Sequence, residues 1–266
     1  VLGGHGFSYA TGWWPATRAN SPTAHWSYLY TLFLAAVYGT VGVAPIAARV
    51  LQALIVGVLH PLLVWRIGRR LFSPTIGLAS AALTAVYLYF VFYAGALVTE
   101  SLYLLAILWV LDLATAIAYT EGNAQRASAT GRWLLLGLAC AVTVLLRQVF
   151  LLIVPFILTW LVWQLTRGRT DGAPLTPRAL VAPVAITTAI IAACILPWTA
   201  RNYRAFGEFV PLNTNAGFAF YWGNHPIHGT SFIPILPSDP DVNYATLIPR
   251  EFRGLNEAQL DKALLA

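Results

Sequence analysis

Residues 179–198 read ALVAPVAITTAIIAACILPW, twenty consecutive positions without a charged side chain. The hydrocarbon core of a bilayer is about 30 Å thick and takes about 20 helical residues, so this stretch predicts a membrane-crossing helix. The composition of the whole chain agrees, because 58% of its 266 residues are hydrophobic and only 10% are charged. Soluble domains carry about 25% charged residues, so a water-soluble globule is excluded. We expect an all-α, polytopic integral membrane protein.

The same length criterion predicts about six transmembrane helices. Residues 133–163 are the difficult stretch, because one helix of that length would be about 46 Å long and would carry Arg147 and Gln148 in its middle. Two shorter helices that turn at Arg147 and Gln148 fit the thickness of the bilayer better. The other predicted spans are residues 46–65, 76–96, 97–119 and 179–198.

The charges between the predicted spans indicate how the chain is oriented. Linkers 66–70, 120–132 and 167–178 carry eight arginines against two acidic residues. Cytoplasmic loops are enriched in Lys and Arg, so these linkers are expected in the cytoplasm and the turn at Arg147 on the outer side. The formal net charge of +6 therefore reflects membrane topology, and nucleic acid is not an expected partner. We expect a multi-pass protein of the cytoplasmic (plasma) membrane.

Three regions follow from this topology. Residues 1–45 are expected to form an outer loop, in which YLYTLFLAAVYGTV (28–41) is too short to span and predicts an interfacial helix. Residues 46–198 form the transmembrane bundle, and residues 199–266 are expected to be extracytoplasmic. Because the chain contains no Met and stops within the helix-like NEAQLDKALLA, we interpret it as a fragment cut at both ends.

Charged residues at the predicted outer ends of the spans are the main chemical signal. They are Glu100, Arg147, Arg201 and Arg204. The planar guanidinium of Arg can donate two hydrogen bonds to one phosphate group, so a lipid phosphate would fit these arginines. Arg147 could instead form an ion pair with Glu100, and Arg201 and Arg204 could anchor the chain at the interface. Glu100 could also simply complement a helix dipole behind Thr99 as N-cap.

Other polar residues give weaker evidence of a functional site. Asp112 is expected to pair with a neighbouring helix or a cavity water, and His60 to be a hydrogen-bonded core residue. The outer histidines His25, His225 and His228 lack the spacing of metal ligands, so no metal site is predicted.

Residues 201–226, RNYRAFGEFVPLNTNAGFAFYWGNHP, combine an aromatic strip with side-chain amides. Aromatic faces and amide donors together suit a carbohydrate or a polyprenyl head group. Tyr221, Asn224 and His225 are the candidates here for supporting a site. Interfacial anchoring by the same aromatic side chains explains the strip equally well.

An ordered set of motifs runs through nearly the whole chain: GGHGFSYA (3–10), YAGALVTESLYLLAILWVL (93–111), LLLGLACAVTVLLRQVFLL (134–152) and LPWTARNYRAFGEFVPLNTNAGFAFYWGNHP (196–226). This set resembles bacterial membrane glycosyltransferases of the GT-C type, in particular the family 39 relatives that include protein mannosyltransferases and the lipid A aminoarabinose transferase. The resemblance implies an inverting enzyme of the cell envelope. Such an enzyme transfers a sugar from a polyprenyl-phosphate donor to a lipid, glycan or protein hydroxyl outside the cytoplasmic membrane.

The resemblance also implies roles for individual residues. Glu100 matches an acidic residue in the family's TES, Arg147 its L-x-R turn, and Arg201, Asn202 and Tyr203 its exit from the membrane. Arg147 and Arg201 would then bind the donor phosphate, and the supporting residues would be Glu100, Asn202, Tyr203, Tyr221, Asn224 and His225. The catalytic acid of such enzymes is expected upstream of Val1. No cofactor is implied with certainty, and assistance by a divalent metal is left open.

Two other classes of function remain open at the level of sequence. A polyprenyl-glycan flippase or a small-solute membrane transporter would also place arginines at the outer face of a polytopic helical protein. A non-catalytic membrane scaffold would need Glu100 and Arg147 only as a pair.

Overall fold

The computed structural model describes residues 1–10, 12, 18–119, 130–167, 175–224, 248–252 and 254–266. Within these ranges the chain forms helices and no strand, which confirms the prediction of an all-α polytopic membrane protein. The α-helices are α1 (Tyr28–Val41), α2 (Pro45–Leu71), α3 (Pro74–Val86), α4 (Leu88–Gly95), α5 (Glu100–Ala118), α6 (Thr130–Leu146), α7 (Val154–Thr166), α8 (Pro177–Phe206), α9 (Ala216–Asn224) and α10 (Glu257–Leu265). Two short 3-10 helices cover Gln148–Leu152 and Arg250–Phe252.

Four helical stretches among the described residues are long and apolar enough to cross a membrane. They are α2, α5, α8 and the stretch Gln148–Thr166. Helices α3 and α4 make a fifth if they count as one span, although the pair bends by 52°. The bend arises at Tyr87, whose extended backbone (φ −67°, ψ 114°) interrupts the helix. The 17-residue helix α6 is shorter, at about 26 Å. Our count of six spans stays a prediction.

The predicted break in the stretch 133–163 is confirmed. Helix α6 ends at Leu146, and Arg147 adopts an extended backbone with φ −146° and ψ 114°. A 3-10 helix follows, and α7 begins beside Pro155, which is tolerated in a first helical turn because it has no N–H to leave unsatisfied. The charged Arg147 therefore lies at a helix end.

Helix α2 approaches α3 closely through two glycines. A Cβ on Gly68 would lie 2.8 Å from the Cα of Gly77, and a Cβ on Gly77 would lie 2.8 Å from the carbonyl oxygen of Trp65. Small residues allow such backbone contact between membrane helices. The two glycines thus set the distance between α2 and α3 where they cross.

The buried amide of Gln52 connects α2 to two other elements. Its Nε2 donates to the carbonyl oxygens of Ala94 (3.1 Å) and Ala96 (2.7 Å), and its Oε1 accepts a hydrogen bond from the Tyr30 hydroxyl (3.1 Å). Carbonyls at the end of a helix have no partner within the helix and are costly to bury unpaired. Gln52 therefore satisfies the backbone where α4 ends and the chain leads into α5. His60 acts similarly, since its Nε2 lies 3.2 Å from the carbonyl oxygen of Ser101, as expected for a core histidine.

The described chain divides into two compact units. The helical unit comprises Leu29–Ile195, and the terminal unit comprises Val1–Tyr28 together with Leu196–Ala266. In the helical unit, α5 packs against α2 and α6. In the terminal unit, α9 packs against α10. Our division at residues 45 and 198 stays a prediction.

Candidate functional site

An apolar cavity of about 840 Å³ lies inside the helical unit. Its walls come from α1, α2, α5 and α6, and leucine is the commonest lining residue. Arg66 and Asp112 are its charged lining residues. Leu102 and Leu146 line it near the start of α5 and the end of α6. The cavity therefore has an apolar body, and charged groups lie at or beside each of its ends.

Glu100 and Arg147 form an ion pair beside one end of this cavity. Nη2 of Arg147 donates to Oε1 of Glu100, and the Arg147 guanidinium lies 5.8 Å from the centre of the Tyr103 ring. The side chain of Arg147 is 45% exposed and that of Glu100 is 32% exposed. The pairing that we weighed against ligand binding is thus present, and the guanidinium is also open to a ligand. Thr99 occupies the N-cap position of α5, but its side chain makes no capping hydrogen bond.

Asp112 forms a second ion cluster, near the opposite end of the cavity. Its carboxylate is 2% exposed and contacts two arginines of α2: Arg66 Nη2 lies 2.9 Å from Oδ2, and Arg70 Nη1 lies 3.1 Å from Oδ1. Arg70 Nη1 also donates to the hydroxyl of Thr115 at 2.7 Å. The expected pairing of Asp112 with a neighbouring helix is confirmed. A buried carboxylate needs such partners, because an isolated charge in a low-dielectric interior is very costly.

Arg201 lies in the terminal unit and contacts the backbone of the first 28 residues. Its Nη1 donates to the carbonyl oxygen of Thr23 (2.8 Å) and its Nη2 to that of Phe7 (3.0 Å). The rings of Phe7 and Tyr28 each lie 5.9 Å from the guanidinium. Arg201 thus holds the N-terminal segment in place. Arg147 belongs to the helical unit.

Asn202, next to Arg201, is fully buried and also contacts the N-terminal segment, through Tyr28. Its Oδ1 accepts hydrogen bonds from Arg201 (3.1 Å) and from the hydroxyl of Tyr28. Its Nδ2 donates to the carbonyl oxygens of Val210 (3.2 Å) and Leu212 (2.7 Å). With both amide atoms engaged, Asn202 organises the backbone around the end of α8.

The other predicted supporting residues differ in exposure. Tyr203 is exposed, and Tyr221 is half-buried against the cluster of Ile248, Leu260 and Leu264. Asn224 is exposed and donates to the carbonyl oxygen of Phe220 at 2.8 Å. His225 and His228 lie outside the described residues. Among the residues that are described, no three His, Cys, Asp or Glu side chains come together as metal ligands would.

Glu257 is a buried acid that our sequence analysis did not single out. It is 3% exposed and accepts hydrogen bonds from the backbone N–H of Ala24 (2.7 Å) and from the hydroxyl of Thr214. Nearby, burial lowers the pKa of His25 below its ordinary value, although the negative charge of Glu257 opposes the shift. Glu257 in the polar helix α10 gave no sequence signal, because first-turn acids usually complement a helix dipole at the surface.

Helix α9 carries the aromatic strip and begins against α10. The carboxylate of Asp261 accepts a hydrogen bond from the backbone N–H of Gly217 at 2.8 Å. Burial raises the pKa of Asp261, and hydrogen bonds from the N–H groups of Phe218 and Gly217 oppose that shift. The N-terminus of α9 is thus capped by a side chain from α10.

Replacing Gly217 by alanine is expected to separate α9 from α10. A Cβ at this position would lie 1.7 Å from the carbonyl oxygen of Asp261, so the two backbones must move apart. Overpacking of this kind costs about 1–3 kcal/mol and sometimes more. Limited proteolysis of the terminal unit should be accelerated. Gly223→Ala is the matched control, since a Cβ on Gly223 of the same helix has no neighbour within 4 Å. Equal proteolysis rates for the two variants would contradict the prediction.

Comparison with known proteins agrees with this architecture. The sequence model of the dolichyl-phosphate-mannose-protein mannosyltransferase family matches residues 25–198, which is about two thirds of the chain. No curated protein and no solved structure matches the chain significantly. The matched region contains α1, the ion pair of Glu100 and Arg147, and the cavity. The chain therefore belongs to the dolichyl-phosphate-mannose-protein mannosyltransferase family of membrane glycosyltransferases of the GT-C type.

Proposed function

We propose that the protein moves a sugar from a polyprenyl-phosphate donor to a hydroxyl group of a lipid, glycan or protein acceptor, on the outer face of the cytoplasmic membrane. The observation that carries this proposal is the position of Arg147. Its guanidinium is half exposed, is paired with a single acid, and lies beside one end of an apolar cavity. A phosphate attached to a hydrocarbon chain needs both surroundings at once, a cation for its head and apolar side chains for its tail.

Arg147 has donors left for a phosphate. A guanidinium carries five N–H groups, and the contact with Glu100 uses Nη2. Glu100 orients the guanidinium from the first turn of α5, so the arginine does not have to be ordered when the donor binds. Leu102 and Leu146 adjoin the pair and would contact the first units of the carrier chain.

The transfer itself is a direct displacement at the sugar. The acceptor oxygen forms a bond to the anomeric carbon while the bond from that carbon to the phosphate oxygen breaks. The electron pair leaves with the polyprenyl phosphate, whose negative charge increases in the transition state. A cation aimed at the departing oxygen lowers the barrier, because it interacts more strongly with the transition state than with the ground state. A carboxylate takes the proton of the acceptor hydroxyl.

Arg201 is proposed to assist in binding the donor. It contacts two backbone carbonyls through Nη1 and Nη2, and its side chain is half-buried. Such a residue can position the N-terminal segment, and its positive charge suits a phosphate group.

Arg201→Ala is expected to raise the apparent KM for the donor about tenfold or more, because it removes charge-assisted hydrogen bonds. Initial rates measured across a range of donor concentrations give the value. Arg204→Ala removes an exposed charge one turn later on α8 and should leave KM unchanged. An unaltered donor KM in Arg201→Ala, together with faster proteolysis of residues 1–28, would assign Arg201 a structural role only.

The function is tested with membranes containing the full-length protein and a polyprenyl-phosphate donor whose sugar is radiolabelled. Expected is protein-dependent release of polyprenyl phosphate and transfer of label to an extractable lipid, glycan or protein. Movement of intact labelled donor across proteoliposomes without cleavage of the sugar–phosphate bond would overturn the proposal. That outcome would favour the flippase or transporter.

A further inference from the structure

The ion cluster around Asp112 carries more positive than negative charge. Arg66 binds the carboxylate through Nη2 (2.9 Å) and Nε (3.3 Å), and Arg70 binds it at 3.1 Å. One acid that is 2% exposed therefore shares two guanidinium groups. Counted over these three described side chains, the cluster carries one net positive charge.

Two further arginines lie at the same end of these helices. The guanidinium of Arg69 lies 4.3 Å from the centre of the Trp65 ring, and Arg132, in the first turns of α6, donates to the carbonyl oxygen of Ala116 at 3.5 Å. Among the described residues, Arg66 and Arg70 thus contact Asp112, and Arg69 and Arg132 lie at the same end of their helices. Several arginines at one end of a helical bundle favour binding of an anion there.

The apolar cavity reaches this basic cluster. Arg66 and Asp112 line the cavity, together with Leu62 and Trp109, each about one helical turn before one of them. Asp112 follows Glu100 by 12 residues on α5, which places it about 18 Å further along the helix axis. The cavity therefore joins hydrocarbon walls to a cation that is well separated from the ion pair of Glu100 and Arg147.

We propose that this end of the cavity binds an anionic glycerophospholipid, with its phosphate at Arg66 and one acyl chain along Leu62 and Trp109. Basic pockets between transmembrane helices are recognised sites for anionic lipid head groups. The side chain of Arg66 is 44% exposed, and Asp112 engages only two of its nitrogen atoms, so the guanidinium can also hold a phosphate. This site is additional to the proposed donor site at Arg147.

At the Arg66 end of the cavity, the charges favour this occupant over the carrier lipid. A carrier whose phosphate lies at Arg147 would extend its uncharged hydrocarbon end toward Arg66 and Asp112. A phospholipid whose phosphate lies at Arg66 pairs charge with charge and places hydrocarbon against leucine and tryptophan side chains. At the Arg66 end, complementarity of charge is satisfied only in the second arrangement, whereas the carrier pairs its phosphate with Arg147 at the other end.

Native mass spectrometry of the purified full-length protein, titrated with dioleoyl-phosphatidylglycerol or dioleoyl-phosphatidylcholine, tests the proposal. The protein is expected to bind phosphatidylglycerol about tenfold more tightly, and Arg66→Gln is expected to remove that preference. Arg49→Gln is the matched control, because Arg49 is exposed and lies in the first turns of the same helix. Equal binding of the two lipids, or an equal loss in both variants, would overturn the proposal.

A second variant separates the acyl chain from the charge. Leu62→Trp enlarges a partly exposed cavity residue without changing any charge, and it should weaken phosphatidylglycerol binding about tenfold even though Arg66 is intact. Inorganic phosphate and glycerophosphoglycerol should not compete at millimolar concentration. Competition by either would assign the cluster to a soluble phosphate compound. A parallel loss of polyprenyl-phosphate binding in Arg66→Gln would assign it to the donor, and either result would overturn the lipid site.

Discussion

Arg147→Ala in the full-length protein is expected to lower the rate of sugar transfer by at least about 100-fold while membrane insertion stays normal. Removing one preorganised donor from a developing negative charge costs about 10²–10³ in kcat. The side chain is 45% exposed at a helix end, so the protein should tolerate its loss structurally. The measurement is single-turnover release of polyprenyl phosphate, with extraction of membranes to verify insertion. Normal transfer by this variant would remove Arg147 from the mechanism.

Exchange of the two charges separates catalysis from helix pairing. The double variant Glu100→Arg with Arg147→Glu retains an ion pair between α5 and the end of α6, so its thermal stability should match that of the parent protein. It should nevertheless remain inactive, because the cation no longer lies where the donor phosphate is proposed to bind. Arg147→Lys keeps the charge but loses the planar fork and should retain partial activity. Recovery of activity on charge exchange would indicate a scaffold that needs only the pair.

Asp112→Ala is expected to destabilise the helical unit by about 3–5 kcal/mol, because it leaves Arg66 and Arg70 without the carboxylate that they share. Thermal unfolding of purified protein in detergent, without added phospholipid, should show the loss as a lower Tm. Asp112→Asn keeps an oxygen acceptor and should fall between the parent and the alanine variant.

Glu208→Ala is the control for Asp112→Ala. Glu208 pairs with Lys262 at the surface, and both side chains are substantially exposed. Exposed ion pairs contribute about 0–1 kcal/mol, so this variant should unfold close to the parent temperature. If Asp112→Ala unfolded at the same temperature as Glu208→Ala, the cluster at Asp112 would contribute no more than an ordinary surface pair.

Features set by local sequence could be predicted without the structure. The helix expected at residues 28–41 has those same bounds, and the chain breaks at Arg147 as the length of the stretch required. Rare charges inside apolar runs were equally informative, because each must find a partner. Asp112 and Glu100 both have one.

Features that depend on three-dimensional neighbours could not be predicted. The partners of Asp112 are 42 and 46 residues away in the chain, and spacing alone does not identify which arginines reach it. The role of Gln52, which lies in an apolar run, was not predicted. It depends on backbone carbonyls that lack a partner within the helix where α4 ends. The bend at Tyr87 was also missed, since neither Gly nor Pro marks that position.

The hydrogen bonds of Gln52 also limit how the helical unit can move. Its amide is joined to the carbonyl of Ala94 in the last turn of α4, to that of Ala96 just after α4, and to the hydroxyl of Tyr30 on α1. A translation of α2 along its own axis by even one residue, about 1.5 Å, would break all three contacts together. Tilting about Gln52 would preserve them. The contacts of this buried amide therefore favour tilting of α2 about Gln52 over translation of α2 along its own axis.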